Sequence, residues 1–216
     1  MAEDVRDRLD RLHRVMRERI CLLDWPPGSR LSEAEIAADY GMSRTPIRRV
    51  LARLEDEGLV QSQHGIGTLV TDPGEEELAQ TYALRSELAE LVGRMAPVQP
   101  TDAHLARLSN IMAEAEALTR RPEPREFVRL NMAFFDFGLT LTDNLVLREV
   151  SETLYYRTAR VWLRQIADLD LSEECAVFIR ELNDCALALR SGDALAAALI
   201  RRAHISMSVR RLMRDV

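Results

Sequence analysis

The sequence predicts a mostly α-helical chain in two parts: a small helical module closed by a β-hairpin over residues 1–72, and an all-helical, six-helix bundle over residues 75–216. Three observations predict it. Apolar residues recur at three- and four-residue steps along most of the chain, as one buried face of a helix requires. The β-prone runs cluster around "HGIG" at 64–67, whose glycines permit a tight turn. The composition, 47% hydrophobic with only 5% aromatic residues, suits a core packed from Leu, Ala, Val and Met.

The first helix is expected over 4–23, with Leu9, Leu12, Met16, Ile20 and Leu23 on one face, and "DWPPGSRL" breaks it. Ser32 is placed as an N-cap, with Glu35 three residues on completing a capping box for a short helix over 33–40. Gly41 ends that helix and Ser43 caps the next, where Pro46 falls in the first turn and leaves no hydrogen bond unmade. Ile47, Val50, Leu51 and Leu54 form the apolar stripe of this third helix, so Arg44, Thr45, Arg48 and Arg49 face outward. Helix, short helix, turn and longer helix is the helix-turn-helix order, and the hairpin that follows is its wing. After Pro73 and Gly74 the acidic triplet Glu75 to Glu77 suits the positive end of a new helix. Six helices are expected from there: 75–96, 101–119, 123–141, 144–168, 172–191 and 193–213, separated by turn-forming stretches such as "PVQPTD" and "RRPEP".

Several function classes are excluded. All 29 basic residues are arginine, and without a lysine there is neither a Walker A loop nor a Schiff-base cofactor. No activated nucleophile, metal cluster or phosphate loop is visible, so an enzyme is not expected. No apolar run approaches the roughly 18 residues of a membrane span and "MAEDVRDRLD" is too charged for a secretory signal, which gives a cytoplasmic expectation with no membrane partner. Cys21, Cys175 and Cys185 are odd in number, lie in helical patterns and read as buried thiols. A net charge of −6 argues against indiscriminate coating of nucleic acid, though a local basic patch still binds phosphate.

Such a patch exists. Four arginines fall between positions 44 and 53, the acids Glu55 to Glu57 follow, and this order opposes the helix dipole, which prefers cations at the C-terminal end. Alternating Arg and Glu ordinarily makes a solvated face, but segregated charge that costs local helix stability needs another cause. Arginines at the front of the second helix of a helix-turn-helix reach the DNA major groove, with Ser and Thr hydroxyls and free helix N–H groups on phosphates.

Residues 26 to 70, "PPGSRLSEAEIAADYGMSRTPIRRVLARLEDEGLVQSQHGIGTLV", resemble the winged helix-turn-helix of the GntR family of bacterial transcription regulators, with "PG-x-RLSE", "SRTP-x-R" and "G-x-GT-x-V" in order. The resemblance implies a DNA operator as partner, contacted by Arg44, Thr45 and Arg48, with His64 and Gly65 of the wing at the minor groove; Ser32, Ser43 and Arg49 are further candidate contacts on the residues' own chemistry. Ala34 stands where a basic residue is frequent and Arg49 where an acid is common. A palindromic operator would match a homodimer.

The remainder resembles the FCD effector domain of the FadR-like subfamily, in its six-helix VanR-like branch. That implies a ligand-responsive regulator, by analogy a repressor, and in most relatives a divalent metal held by an Asp and three His. Here the matching positions carry Asn131, Phe135, Leu182 and His204, which leaves no adequate donor set, so no cofactor or metal is expected. Asp136 and Asp184 neighbour these positions and should point away. A small organic acid is the expected effector, held by Arg85 or Arg160 with Asn131, Tyr156 and His204 adding hydrogen bonds. Arg157, Arg160 and Arg164 suit an exposed face or a dimer contact equally, and a bundle collapsed around Phe135 and Leu182 would serve assembly alone. His13 and His104 are expected at the surface.

Overall fold

The computed structural model describes residues 5–165 and 169–212, and these divide into two compact units between Gly74 and Glu75. The expected ends of three helices, at 4, 166–168 and 213, lie outside the described residues.

In the first unit α1 (Val5–Cys21) buries Leu12, Met16 and Ile20 against α3 (Arg44–Asp56), whose Ile47, Val50, Leu51 and Leu54 are all buried as the stripe predicts. The short α2 (Glu33–Asp39) packs on α3 and starts at Ser32, whose side chain accepts from the Glu35 N–H at 3.4 Å. Between α2 and α3 the chain turns at Gly41, where φ is +59°, a region open to glycine at little cost. β2 (Val60–Gln63) and β3 (Gly67–Val70) form the expected hairpin, and Gly65 and Gly67 supply its positive φ angles. A third strand, β1 (Arg30–Leu31), pairs antiparallel with β3 and gives the sheet order β1-β3-β2. Two residues are too few to show a period in the sequence; pairing with β3 makes the strand.

His13 corrects the surface expectation. It is 2% exposed, with its Nε2 2.9 Å from a carboxylate oxygen of Glu57. One step from Leu12 and three from Met16, it lies within the wide apolar face of α1 and needs a buried polar partner.

The second unit consists of α4 (Glu75–Leu91), α5 (Asp102–Arg120), α6 (Pro124–Gly138) with a 3-10 turn at Leu139–Leu141, α7 (Leu145–Gln165), α8 (Leu171–Arg190) and α9 (Ala194–Leu212). Its core joins α5, α6 and α8 through Leu108, Ile111, Phe127, Phe134, Phe178 and Leu182. Helix α4 stops five residues before its expected end. At Gly93, just beyond it, an added Cβ would lie 2.6 Å from the Leu195 Cα and 2.9 Å from the Ala198 Cβ, so the backbone there lies against α9 where no side chain fits. Arg202 of α9 pairs with Glu87 and Glu90 of α4 on the same side. His104 is half-buried and caps α5: its Nδ1 accepts the Thr101 N–H at 3.1 Å while the Thr101 hydroxyl accepts the His104 N–H. Cys21, Cys175 and Cys185 are buried free thiols, and no described helix is long and apolar enough to cross a membrane.

Candidate nucleic-acid interface and ligand cavity

Burying the Ile47–Leu54 stripe turns the other side of α3 to solvent, and Ser43, Arg44, Thr45, Arg48 and Arg49 are all exposed around its leading turn. Ser43 occupies the N-cap position, yet its side chain makes no capping hydrogen bond, so the expected cap is not formed and the front of the helix keeps unsatisfied N–H groups. Ser32 is half-buried and engaged in capping α2. His64 and Gly65 are exposed at the tip of the wing, beside an exposed Ile66.

Arg48 is not loose. Its Nε and Nη2 donate to the two carboxylate oxygens of Glu33 on α2 at 2.9 and 2.8 Å. The hydrogen bond from Arg48 holds the Glu33 carboxyl below its usual pKa, and the same bond raises that of Arg48. Arg53, the fourth arginine, is turned to α1 instead, donating to Asp10 at 2.8 Å and standing 3.3 Å from Glu57. The trailing acids of α3 are equally occupied: Glu55 accepts from the Ser62 N–H at 2.6 Å and the Ser62 hydroxyl at 2.9 Å, tying wing to helix, and Glu57 holds His13. The reversed charge order thus has two sides, solvent-facing arginines in front and tethering acids behind. Sequence spacing carried no signal for the second.

In the helical unit, two cavities of about 70 and 50 Å³ share Arg85, Arg201 and Ile205 as a common wall. The larger is mostly apolar, lined by residues such as Phe134, Phe135, Leu141 and Leu189. The smaller is polar, lined among others by Tyr82, Asn131, Tyr155, Glu181 and His204. Arg85 comes from α4, is 9% exposed, donates Nη1 to Thr158 Oγ1 at 2.5 Å, and lies 4.8 Å over both the Tyr82 and Tyr155 rings. Burial pulls its pKa below the ordinary arginine value, against the opposing pull of the two phenol oxygens. Arg201 of α9 is also shielded, and burial works against its charge, but the Glu181 carboxylate at 2.6 Å raises its pKa overall. Arg201 and Glu181 are site residues that sequence reasoning missed; Arg201 stands one turn before His204 on the same face, which was the available signal.

Of the expected effector residues, Arg85, Asn131 and His204 line the polar cavity. Tyr156 and Arg160 line neither. The inward stripe of α7 runs through Ser151, Tyr155, Ala159 and Trp162, and a one-residue step rotates Tyr156 and Arg160 by about 100°. Tyr156 donates to Asp136 at 3.1 Å, and Arg160, 1% exposed, is packed away from the cavities. Arg157 is half-buried and Arg164 exposed.

The four positions at which relatives are expected to hold metal do not fit a divalent ion here. Phe135 stacks on Tyr155 with ring centroids 3.8 Å apart, Leu182 is fully buried in the apolar core, and the Asn131 amide donates to the Phe127 carbonyl at 2.9 Å. His204 Nδ1 lies 3.8 Å from Glu181, too far for a hydrogen bond, and has no partner among the described residues. Asp136 and Asp184 are exposed, as expected. No cluster of three His, Cys, Asp or Glu side chains suited to a metal occurs among the described residues.

A winged three-helix module with an arginine-rich leading turn, joined in one chain to a helical unit, has the architecture of a DNA-binding regulator. The chain belongs to the GntR family: residues 8–70 match the model for bacterial regulatory proteins of the gntR family, and residues 80–207 match the FCD domain. It is 24% identical over 209 residues to the HTH-type transcriptional repressor RspR of Escherichia coli strain K12, covering 94% of this chain and 90% of that one. An uncharacterized HTH-type transcriptional regulator of Bacillus subtilis, YdhC, is 28% identical over 127 residues, 58% of this chain and 57% of its own length. Among solved structures, E. coli McbR/YncC shares the fold with a TM-score of 0.84 at 18% identity, over 96% of this chain and 97% of that one. The protein is therefore a DNA-binding transcriptional regulator and not an enzyme.

Proposed function

We propose that the protein is a homodimeric repressor that binds a palindromic operator and is controlled by a small organic acid without a metal. The observation that carries the DNA half is the exposed set Arg44, Thr45, Arg48 and Arg49 at the open front of α3, with Ser43 contributing a free hydroxyl and His64 and Gly65 of the wing reaching the adjacent minor groove. Ser32, engaged in capping α2, completes the contact set through the backbone of its turn. A two-fold dimer presents two such helices to the two half-sites. Large exposed apolar side chains of the helical unit, Leu145 at 73% and Val146 at 70%, support a partner surface.

Control by an acid is supported by Arg85, a buried cation lining a cavity that an assembly-only bundle would have filled with side chains. The acid shifts operator affinity only if the two arrangements of the dimer bind it unequally. Fluorescence anisotropy with duplexes from the region upstream of the gene, read with and without a panel of organic acids, tests the whole reading. A specific complex weakened by one acid is expected; a complex indifferent to every acid leaves the bundle as an assembly module.

A further inference from the structure

Charge balance inside the helical unit is incomplete. Arg201 and Glu181 neutralise one another at 2.6 Å, but Arg85 meets the Thr158 hydroxyl and the rings and phenol oxygens of Tyr82 and Tyr155, with no carboxylate partner among the described residues. Burying a cation without a counter-ion is costly, so the shared wall of the two cavities is one negative charge short. Beyond that wall the larger cavity offers no second cation: Phe134, Leu139, Leu141 and Leu189 line it, and its thiol, Cys185, is held neutral by burial, which pushes its pKa to about 12. Ser151 Oγ, unpartnered among the described residues, offers a hydrogen bond there but no charge.

We infer that the two cavities form one amphipathic site for a monocarboxylate with an apolar body, the carboxylate pairing with Arg85 at the shared wall and the body filling the chamber behind it. This rests on the organic-acid reading above and narrows it to a single class. A second carboxylate placed in the apolar chamber would have no cation to meet, so dicarboxylates and tricarboxylates are excluded. Size points the same way: chambers of about 70 and 50 Å³ that meet at one wall suit a small acid such as benzoate or hexanoate. Asn131 and His204, on the polar side, are placed to complete the carboxylate's hydrogen bonds.

Isothermal titration calorimetry of the full chain with acetate, butyrate, hexanoate, decanoate, benzoate, hexanamide, succinate and citrate tests this. Affinity should rise by about fourfold per added methylene from butyrate to hexanoate, and fall again at decanoate. Hexanamide should bind at least about tenfold more weakly than hexanoate, because the charge-assisted bond is gone. Arg85→Met should weaken hexanoate and benzoate by a similar factor while raising the Tm of the unliganded protein, since it removes an unbalanced buried cation. A purely structural Arg85 would instead lower the Tm and leave the affinities unchanged, which overturns the inference. If Arg85→Met does not fold, Arg85→Lys, which keeps the charge but loses the fork, carries the same affinity comparison. Binding of succinate or citrate in preference to hexanoate and benzoate also overturns it while leaving the organic-acid reading intact; no response to any acid sinks both.

Discussion

Glu33 and Arg48, fifteen residues apart on different helices, face each other in a two-point fork with bond lengths of 2.9 and 2.8 Å. The pair is exposed and adds little to stability, but it fixes where an arginine of the reading helix points before any duplex arrives. Glu33→Gln should therefore relax sequence discrimination: binding to random duplex tightens, because a carboxylate near the phosphates is gone, while the ratio of operator to random affinity falls. Anisotropy titrations on both duplexes measure this, and an unchanged ratio would show that Arg48 needs no positioning. Because pairing lowers the Glu33 pKa, its contribution is fully present above the unfolded carboxylate value of roughly 4.3 and is lost as pH falls through the lower folded value. From pH 6 to 8 the fork should add no pH dependence to operator binding.

Arg44→Ala and Arg48→Ala should each abolish specific operator binding while leaving the thermal unfolding curve in place, since neither side chain is buried. If the dimer neutralises about eight phosphates, log K should fall with log salt at a slope near −7. Losing a phosphate-contacting arginine from both subunits makes that slope shallower by about two, whereas losing a base-reading arginine leaves it unchanged and removes discrimination at one position of each half-site.

Glu181→Gln is expected to destabilise the helical unit by about 3–5 kcal/mol, because Arg201 would keep its charge with its partner gone. Urea unfolding of the variant and of the double variant Glu181→Gln with Arg201→Met measures this. The double variant should recover most of the loss; no recovery would place the cost elsewhere than in the uncompensated guanidinium.

Metal analysis of protein purified without chelators should find well under one divalent ion per chain, and adding a chelator should leave both the Tm and operator affinity unchanged. The Asn131, Phe135, Leu182 and His204 set predicts this through its lack of converging donors. A stoichiometric, chelator-resistant ion would overturn it.

Helices were legible where one periodic face did the folding. The Ile47–Leu54 stripe placed α3 and its exposed arginines, and turn-forming stretches marked six helices beyond residue 75. What escaped the sequence depends on partners distant along the chain. β1 exists because Leu69 and Thr68 pair with it, His13 is buried because Glu57 comes within 2.9 Å, and Arg201 became a site residue because α8 brings Glu181 to it. Arg160 shows the opposite failure: regular spacing on α7 marked an inward arginine, but one step around the helix separates the cavity-lining face from the face that buries it.

The close approach at Gly93 governs how α4 and α9 can rearrange. Sliding one along the other would drive main chain into the Leu195 backbone, which has no flexible side chain to yield. Gly93 and the Arg202 ion pairs to Glu87 and Glu90 beside it thus hold α4 and α9 in one register, and even a methyl group at position 93 would have to wedge the two helices apart.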